Sequence, residues 1–120
     1  MPTLNQCSFI GRLGKDPEMS YTPNAKPVTK FSLAVDQGKG QKPLWLTIVC
    51  WNELAERMNK YLQKGLLVFV QGRLVMRPYK DKNQVERVAL EIVASTVQML
   101  EKGTKPMPES DEGQTEDAPF

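Results

Sequence analysis

The residues best equipped for chemistry in this 120-residue chain are aromatic and cationic, and they fall into rows. Trp45 and Trp51 both lie in Leu44-Trp45-Leu46-Thr47-Ile48-Val49-Cys50-Trp51, a segment with the period of a β-strand. If Leu44, Leu46, Ile48 and Cys50 face inward, then Trp45, Thr47, Val49 and Trp51 face outward together. The segment over residues 66–76 repeats the design. Its even-numbered Val68, Val70, Gly72, Leu74 and Met76 are small or apolar and read as core. Phe69, Gln71, Arg73, Val75, Arg77 and Tyr79 share the opposite face. Rings and guanidinium groups along one strand face suit a surface where planar groups stack and anions pair.

Further cations stand in two loops. Arg77-Pro78-Tyr79-Lys80-Asp81-Lys82 interleaves charge with an aromatic at an expected hairpin tip, and Lys39 and Lys42 lie in the polar loop 36–43. Lysines there neutralise phosphate without reading sequence, although a merely solvated loop has the same composition. The tryptophans leave three placements open: a stacking surface for bases, a strand buried on both faces, or an interface between subunits. Stacking a base on an aromatic ring contributes roughly 1–3 kcal/mol whichever base it is. Taken with Arg73, Arg77 and Tyr79, stacking is the favoured expectation.

The formal net charge of +2 conceals an asymmetry. All sixteen Lys and Arg fall in residues 1–105 with nine acids, giving +7, whereas residues 106–120 hold five acids and no cation, giving −5. A basic body attracts nucleic acid or anionic surfaces, and acidic termini are usually solvated interaction tails. There is no histidine, and the two cysteines are 43 positions apart, so neither a Cys/His zinc site nor a histidine-based triad can be assembled within one chain. The phosphate-loop, dinucleotide and nucleophile-elbow patterns are all missing. Glu53 and Glu56, with Lys60 four residues after Glu56, read as surface pairing on a helix. The expectation is a binding protein, not an enzyme, without catalytic residue, metal or cofactor. Cys7 and Cys50 fall in strands and read as buried free thiols. No run of eighteen apolar residues occurs, and the N-terminus lacks a basic stretch followed by an apolar one. Neither a membrane span nor a signal peptide is expected, which points to the cytoplasm.

The elements that must position these residues follow from changes of period. Residues 6–13 read as a first strand, and residues 14–27 as turn chemistry throughout. Residues 28–35 alternate, with Thr29, Phe31, Leu33 and Val35 on one face, and residues 44–51 form a third strand. After Trp51 the period becomes helical: Asn52 is the expected N-cap, Leu54, Met58, Tyr61 and Leu62 make the apolar stripe, and Gly65 is the expected C′ residue. A fourth strand over 66–76, a hairpin tip around 78–83 and a long strand from about 84 to 100 complete the order. The prediction is an all-β fold with one short helix, a five-stranded OB-fold Greek-key barrel over residues 1–102. An SH3-like barrel has no three-turn helix in that place. Residues 103–120 are Pro, Gly, Ser, Thr and acids for the most part, and predict a disordered acidic tail.

Several blocks carry a family resemblance. Phe9-Ile10-Gly11-Arg12-Leu13-Gly14-Lys15-Asp16-Pro17-Glu18, Tyr21-Thr22-Pro23-Asn24 and Phe31-Ser32-Leu33-Ala34 resemble the first part of bacterial-type single-stranded DNA-binding proteins. So do Trp45 through Trp51 with Leu54-Ala55-Glu56, Tyr61-Leu62-Gln63-Lys64-Gly65, Val68-Phe69-Val70-Gln71-Gly72-Arg73-Leu74 and Val97-Gln98-Met99-Leu100. The blocks run in order over about residues 4–101. The resemblance implies a homotetramer that coats and protects single-stranded DNA in replication, recombination and repair, in the cytoplasm with the nucleoid. Trp45, Trp51 and Tyr79 fall where this family places stacking aromatics, and the strand pattern adds Phe69. Arg73, Arg77, Lys80, Lys82, Lys39 and Lys42 are the expected phosphate contacts. Glu116-Asp117-Ala118-Pro119-Phe120 resembles the acidic tip by which the family recruits replication and repair proteins.

Two departures stand out. Many members carry another aromatic in the loop after the second strand, and residues 36–42 have none. From Lys102 to Phe120 the tail is 19 residues, a flexible span of roughly 25 Å, so its partners are expected close to the barrel. An OB module for structured RNA or for a primosome-type partner, and a subunit using its aromatics only for assembly, remain as alternatives.

Overall fold

The computed structural model describes residues 3–101, so the expected tail, 103–120, and its tip lie outside the described residues. Six strands and one helix follow one another: β1 (Cys7–Leu13), β2 (Glu18–Tyr21), β3 (Pro27–Val35), β4 (Leu44–Trp51), α1 (Asn52–Tyr61), β5 (Leu67–Lys80) and β6 (Glu86–Met99). Five of the strands close on themselves. β1 pairs antiparallel with β5, β5 with β6, β6 runs parallel to β4, β4 pairs antiparallel with β3, and β3 returns to β1 at Ala34–Arg12 and Leu33–Leu13. This is the expected closed barrel, with its helix after the third barrel strand.

Alternation drives the closure. Leu33, Ile48, Cys50, Val68 and Val70 are wholly inaccessible inside the barrel, and Ala55, Met58 and Tyr61 turn the stripe of α1 onto the same core. Thr29, also inaccessible, donates its hydroxyl to the Ala55 carbonyl at 2.6 Å, tying β3 to the helix. The Cys50 thiol is pushed up to about 12 by burial, and both cysteines are free. Cys7 is only half-buried.

Several local expectations are corrected. The stretch 14–27 is not turn throughout, since Glu18–Tyr21 pairs with Lys30–Pro27 as an added edge strand. Asn52 does not cap α1: the cap position is Trp51, without a side-chain bond, and Asn52 turns the chain at φ 57°, a conformation Asn tolerates. The helix stops at Tyr61, so Gly65 (φ 86°) serves the following turn rather than the C′ position. The hairpin tip lies further on, where the Asp81 carboxylate accepts from the backbone N–H of Asn83 and Val85.

Leu74 and Met76 are not core. They are 41% and 69% exposed because β5 outruns the barrel. Pairing with β1 ends at Gly72, and the Asn5 side chain takes both the N–H and the carbonyl of Leu74. The β5–β6 ladder slips at the same place. Gln71 faces Thr96 and Gly72 faces Ala94, so Ser95 is an extra residue whose hydroxyl donates to the Gln71 carbonyl at 3.1 Å. Beyond this bulge β6 stays paired with β4 as far as Glu91, and from Leu90 and Met76 outward the two strands project as an arm.

At the opposite end of β5 the chain is clasped. Arg12 donates to both oxygens of Glu101, at 2.8 and 3.2 Å, and to the Gly65 carbonyl, while the Leu67 N–H also reaches Glu101. The Arg12 hydrogen bond, then that of Leu67, holds the Glu101 carboxyl below its ordinary value of 4.5. Arg87 and the Val85 N–H likewise hold Asp81 below 3.8. A depressed carboxyl contributes stability above its unfolded pKa and loses it as pH falls through the folded one. The denaturation midpoint is therefore expected to fall below about pH 4.5, and Glu101→Gln to blunt that fall. A midpoint as pH-sensitive in Glu101→Gln as in the parent would show the clasp to be inert.

Candidate nucleic-acid interface

Register, more than any single contact, assembles the outward face. Across β3, β4, β6 and β5 one row reads Ser32, Thr47, Glu91 and Val75, and the next Lys30, Val49, Val93 and Arg73. On the other side of the first row, Ala34 opposes Trp45 and Ala89 opposes Arg77. Trp45 stands two residues before Thr47 and Ala89 two before Glu91 on parallel strands, so Trp45 and Arg77 lie on the same face, each just past the end of the β4–β6 pairing. Val49 and Glu91 are buried beneath their neighbours and form the floor. Trp45 at 58%, Trp51 at 39% and Tyr79 at 43% exposure rise from it.

Two of the rings, Trp45 and Tyr79, have a neighbour against them. A Cβ placed on Gly14 would meet the Trp45 ring at 2.5 Å from Cζ3 and 2.9 Å from Cη2, so the indole edge lies against bare backbone that only glycine offers. Trp51 is the last residue of β4, opposite Val28 and immediately before the turn at Asn52. Tyr79 stands on the arm opposite Arg87, with the Arg77 guanidinium carbon 5.9 Å from its ring centroid. Arg77 itself donates from Nε and Nη2 to one oxygen of Glu91, at 3.3 and 3.1 Å.

The expected cations are dispersed. Arg73 is exposed beside Val93 on the same face. Lys80, opposite Glu86, has the parity of the arm's reverse side, and Lys82 sits in the turn. Lys39 and Lys42 are exposed in the loop between β3 and β4, which is pinned by Gln37 on the Lys42 carbonyl and by the Gly38 N–H on Asp36. Phe69 is not brought to the tryptophans: half-buried, it pairs with Ile10 and Gln98 on the far side of the bulge. Lys30, Ser32 and Thr47, with Lys15, line a groove of about 130 Å³ that sequence reasoning missed. The alternation that sends Thr29 and Phe31 inward was the signal for Lys30 and Ser32.

The profile of the single-strand binding protein family matches residues 4–100. The chain belongs to this family. It is 39% identical over 105 residues to a "Single-stranded DNA-binding protein" of Neisseria meningitidis, covering 82% of this chain and 60% of that one. It is 39% identical over 108 residues to one of Clostridium tetani, covering 85% and 74% of the two chains. A "Single-stranded DNA-binding protein 3" of Clostridium acetobutylicum is 42% identical over 106 residues, covering 84% and 74%. The chain thus spans 60% of the length of its Neisseria relative. Among the described residues, no three His, Cys, Asp or Glu are grouped to hold a metal, and no helix is long and apolar enough to cross a membrane.

The support under Trp45 is open to test. In a Trp51→Phe background, adding Gly14→Ala is expected to lift the remaining indole and shift its emission. Unchanged emission would mean that the ring does not rest on Gly14.

Proposed function

We propose that this single-strand binding family member holds single-stranded DNA without base preference, stacking bases on Trp45, Trp51 and Tyr79. The exposure of Trp45 carries the reading. A large ring left 58% open on a rigid strand is a platform for a planar ligand, and every base offers a π-face. Arg73, Lys82, Lys39 and Lys42 are proposed to neutralise the backbone around these rings, with Lys80 reaching it from the arm's reverse side. The names of the relatives support the same ligand. Phe69 is left outside the platform by its register.

The chain is further proposed to coat strands exposed during replication, recombination and repair, in the cytoplasm with the nucleoid, and to recruit partner proteins through Glu116, Asp117, Ala118, Pro119 and Phe120. Assembly as a homotetramer is supported by the arm's reverse face. There Met76 pairs with Leu90 and Pro78 with Val88, and these side chains, with Leu74, are exposed without a charge among them. This apolar patch, bordered toward the tip by the opposed Lys80 and Glu86 on the same side, is complementary to its own copy across a two-fold axis.

Titrating oligo(dT) against tryptophan fluorescence tests the ligand. Strong quenching that saturates and weakens with salt is expected, and Trp51→Ala should lower affinity roughly tenfold, within the range of one lost stacking contact. Equal or tighter binding of duplex DNA or structured RNA would sink the reading. For assembly, Met76→Lys is expected to lower the mass measured in solution, whereas an unchanged tetramer would move the interface elsewhere.

A further inference from the structure

Glu91 is an acid in the middle of a face proposed to hold a polyanion, and this calls for an account. It is 7% exposed and pairs with Thr47 on one side and Val75 on the other. Its Oε2 accepts two hydrogen bonds from Arg77, and Arg77 in turn lies against the Tyr79 ring. A phosphate approaching Arg77 meets the field of a neutral pair, so little counterion release is gained there. What remains available is the guanidinium plane, a flat, weakly hydrated group that stacks on bases as an aromatic ring does.

We infer that Arg77 is a base-stacking plate of this face rather than a phosphate contact, and that Glu91 is the positioning residue that holds the plate beside Tyr79. The inference rests on the proposed binding of single-stranded DNA and assigns one side chain within it. A lysine cannot replace such a plate, because an ammonium has charge without a plane. The carboxylate also keeps the guanidinium from swinging out to the backbone.

The test uses two probes of equal length on the full chain, oligo(dT) and an abasic phosphodiester strand, each titrated over a range of salt. Arg77→Lys, which keeps the charge opposite Glu91, and Arg77→Ala combined with Glu91→Gln, which leaves the site neutral, are both expected to weaken oligo(dT) binding about tenfold, with the abasic strand unaffected and the salt slope unchanged. Glu91→Gln, which keeps size and an acceptor, is expected to free Arg77 for a phosphate and steepen the log–log salt slope by about 0.7. Equal loss on both probes in either of these variants, a slope reduced by about 0.7 in the double variant, or Arg77→Lys behaving as the parent would each overturn the inference. So would a Glu91→Gln slope identical to the parent's. A parent chain that fails to bind oligo(dT) would instead refute the ligand, which separates the two failures. Thermal melts of each variant establish that the comparison is made between folded proteins.

Discussion

The close approach of Gly72 to the backbone of Val93 and Ala94 is the constraint on which the rest of the molecule depends. Any Cβ at this position would run into the Val93 carbonyl, so only glycine lets β5 and β6 come together where the ladder slips. Before Gly72, β5 lies between β1 and β6 and contributes Val68 and Val70 to the core. After it, β1 is no longer a neighbour and the strand leaves the barrel. One extra residue, Ser95, thus sits at the boundary between the part of β5 that closes the fold and the part that projects as an arm.

A two-stranded ribbon is marginal in water, and the arm is held at several points along its length. Asp81 closes the tip with two backbone bonds and an ion pair to Arg87. Arg77 and Glu91 brace its root, and Asn5 occupies the outer edge at Leu74. Since Leu74 gives both backbone groups to Asn5, even-numbered residues of this stretch direct their backbone away from β6. Pro78 shares that parity, so its missing N–H costs the ladder nothing and removes a donor from the open edge. The same alternation divides the ribbon into an apolar side and a ring-bearing side.

Much of this was legible in the residues, and what was not has definite causes. The alternation in Leu44–Trp51 placed both tryptophans outward because each inward position is aliphatic or Cys50, and the barrel buries Ile48 and Cys50 completely. The same rule failed for Leu74 and Met76. Parity tells which side a residue takes, but not how far along the strand the core extends, and that limit is set by β1 ending opposite Gly72. β2 was invisible because Glu18–Tyr21 is short, polar and held only along one edge. The pairing of Arg77 with Glu91 joins two strands across fourteen positions, so no local pattern could announce it.

The way charges are matched on the face suggests how such a surface divides its work. Lys30 stands opposite Glu18, Arg77 is bonded to Glu91, and Arg87 to Asp81, so most cations of the centre have an acid beside them, whereas Arg73 stands opposite Val93. Lys39, Lys42 and Lys82 lie outside that centre, in loops and at the arm's tip. On the proposed reading the middle therefore acts mainly through planar contact, which salt hardly affects, and the rim through phosphate neutralisation, which salt weakens steeply. A surface of this kind gains nothing from any particular base edge. Its rings are fixed by the register of four strands and by Gly14 beneath Trp45, whereas its unmatched lysines sit on connections that can follow a flexible backbone. Rigid rings inside a border of lysines are what indifference to sequence requires of a sheet.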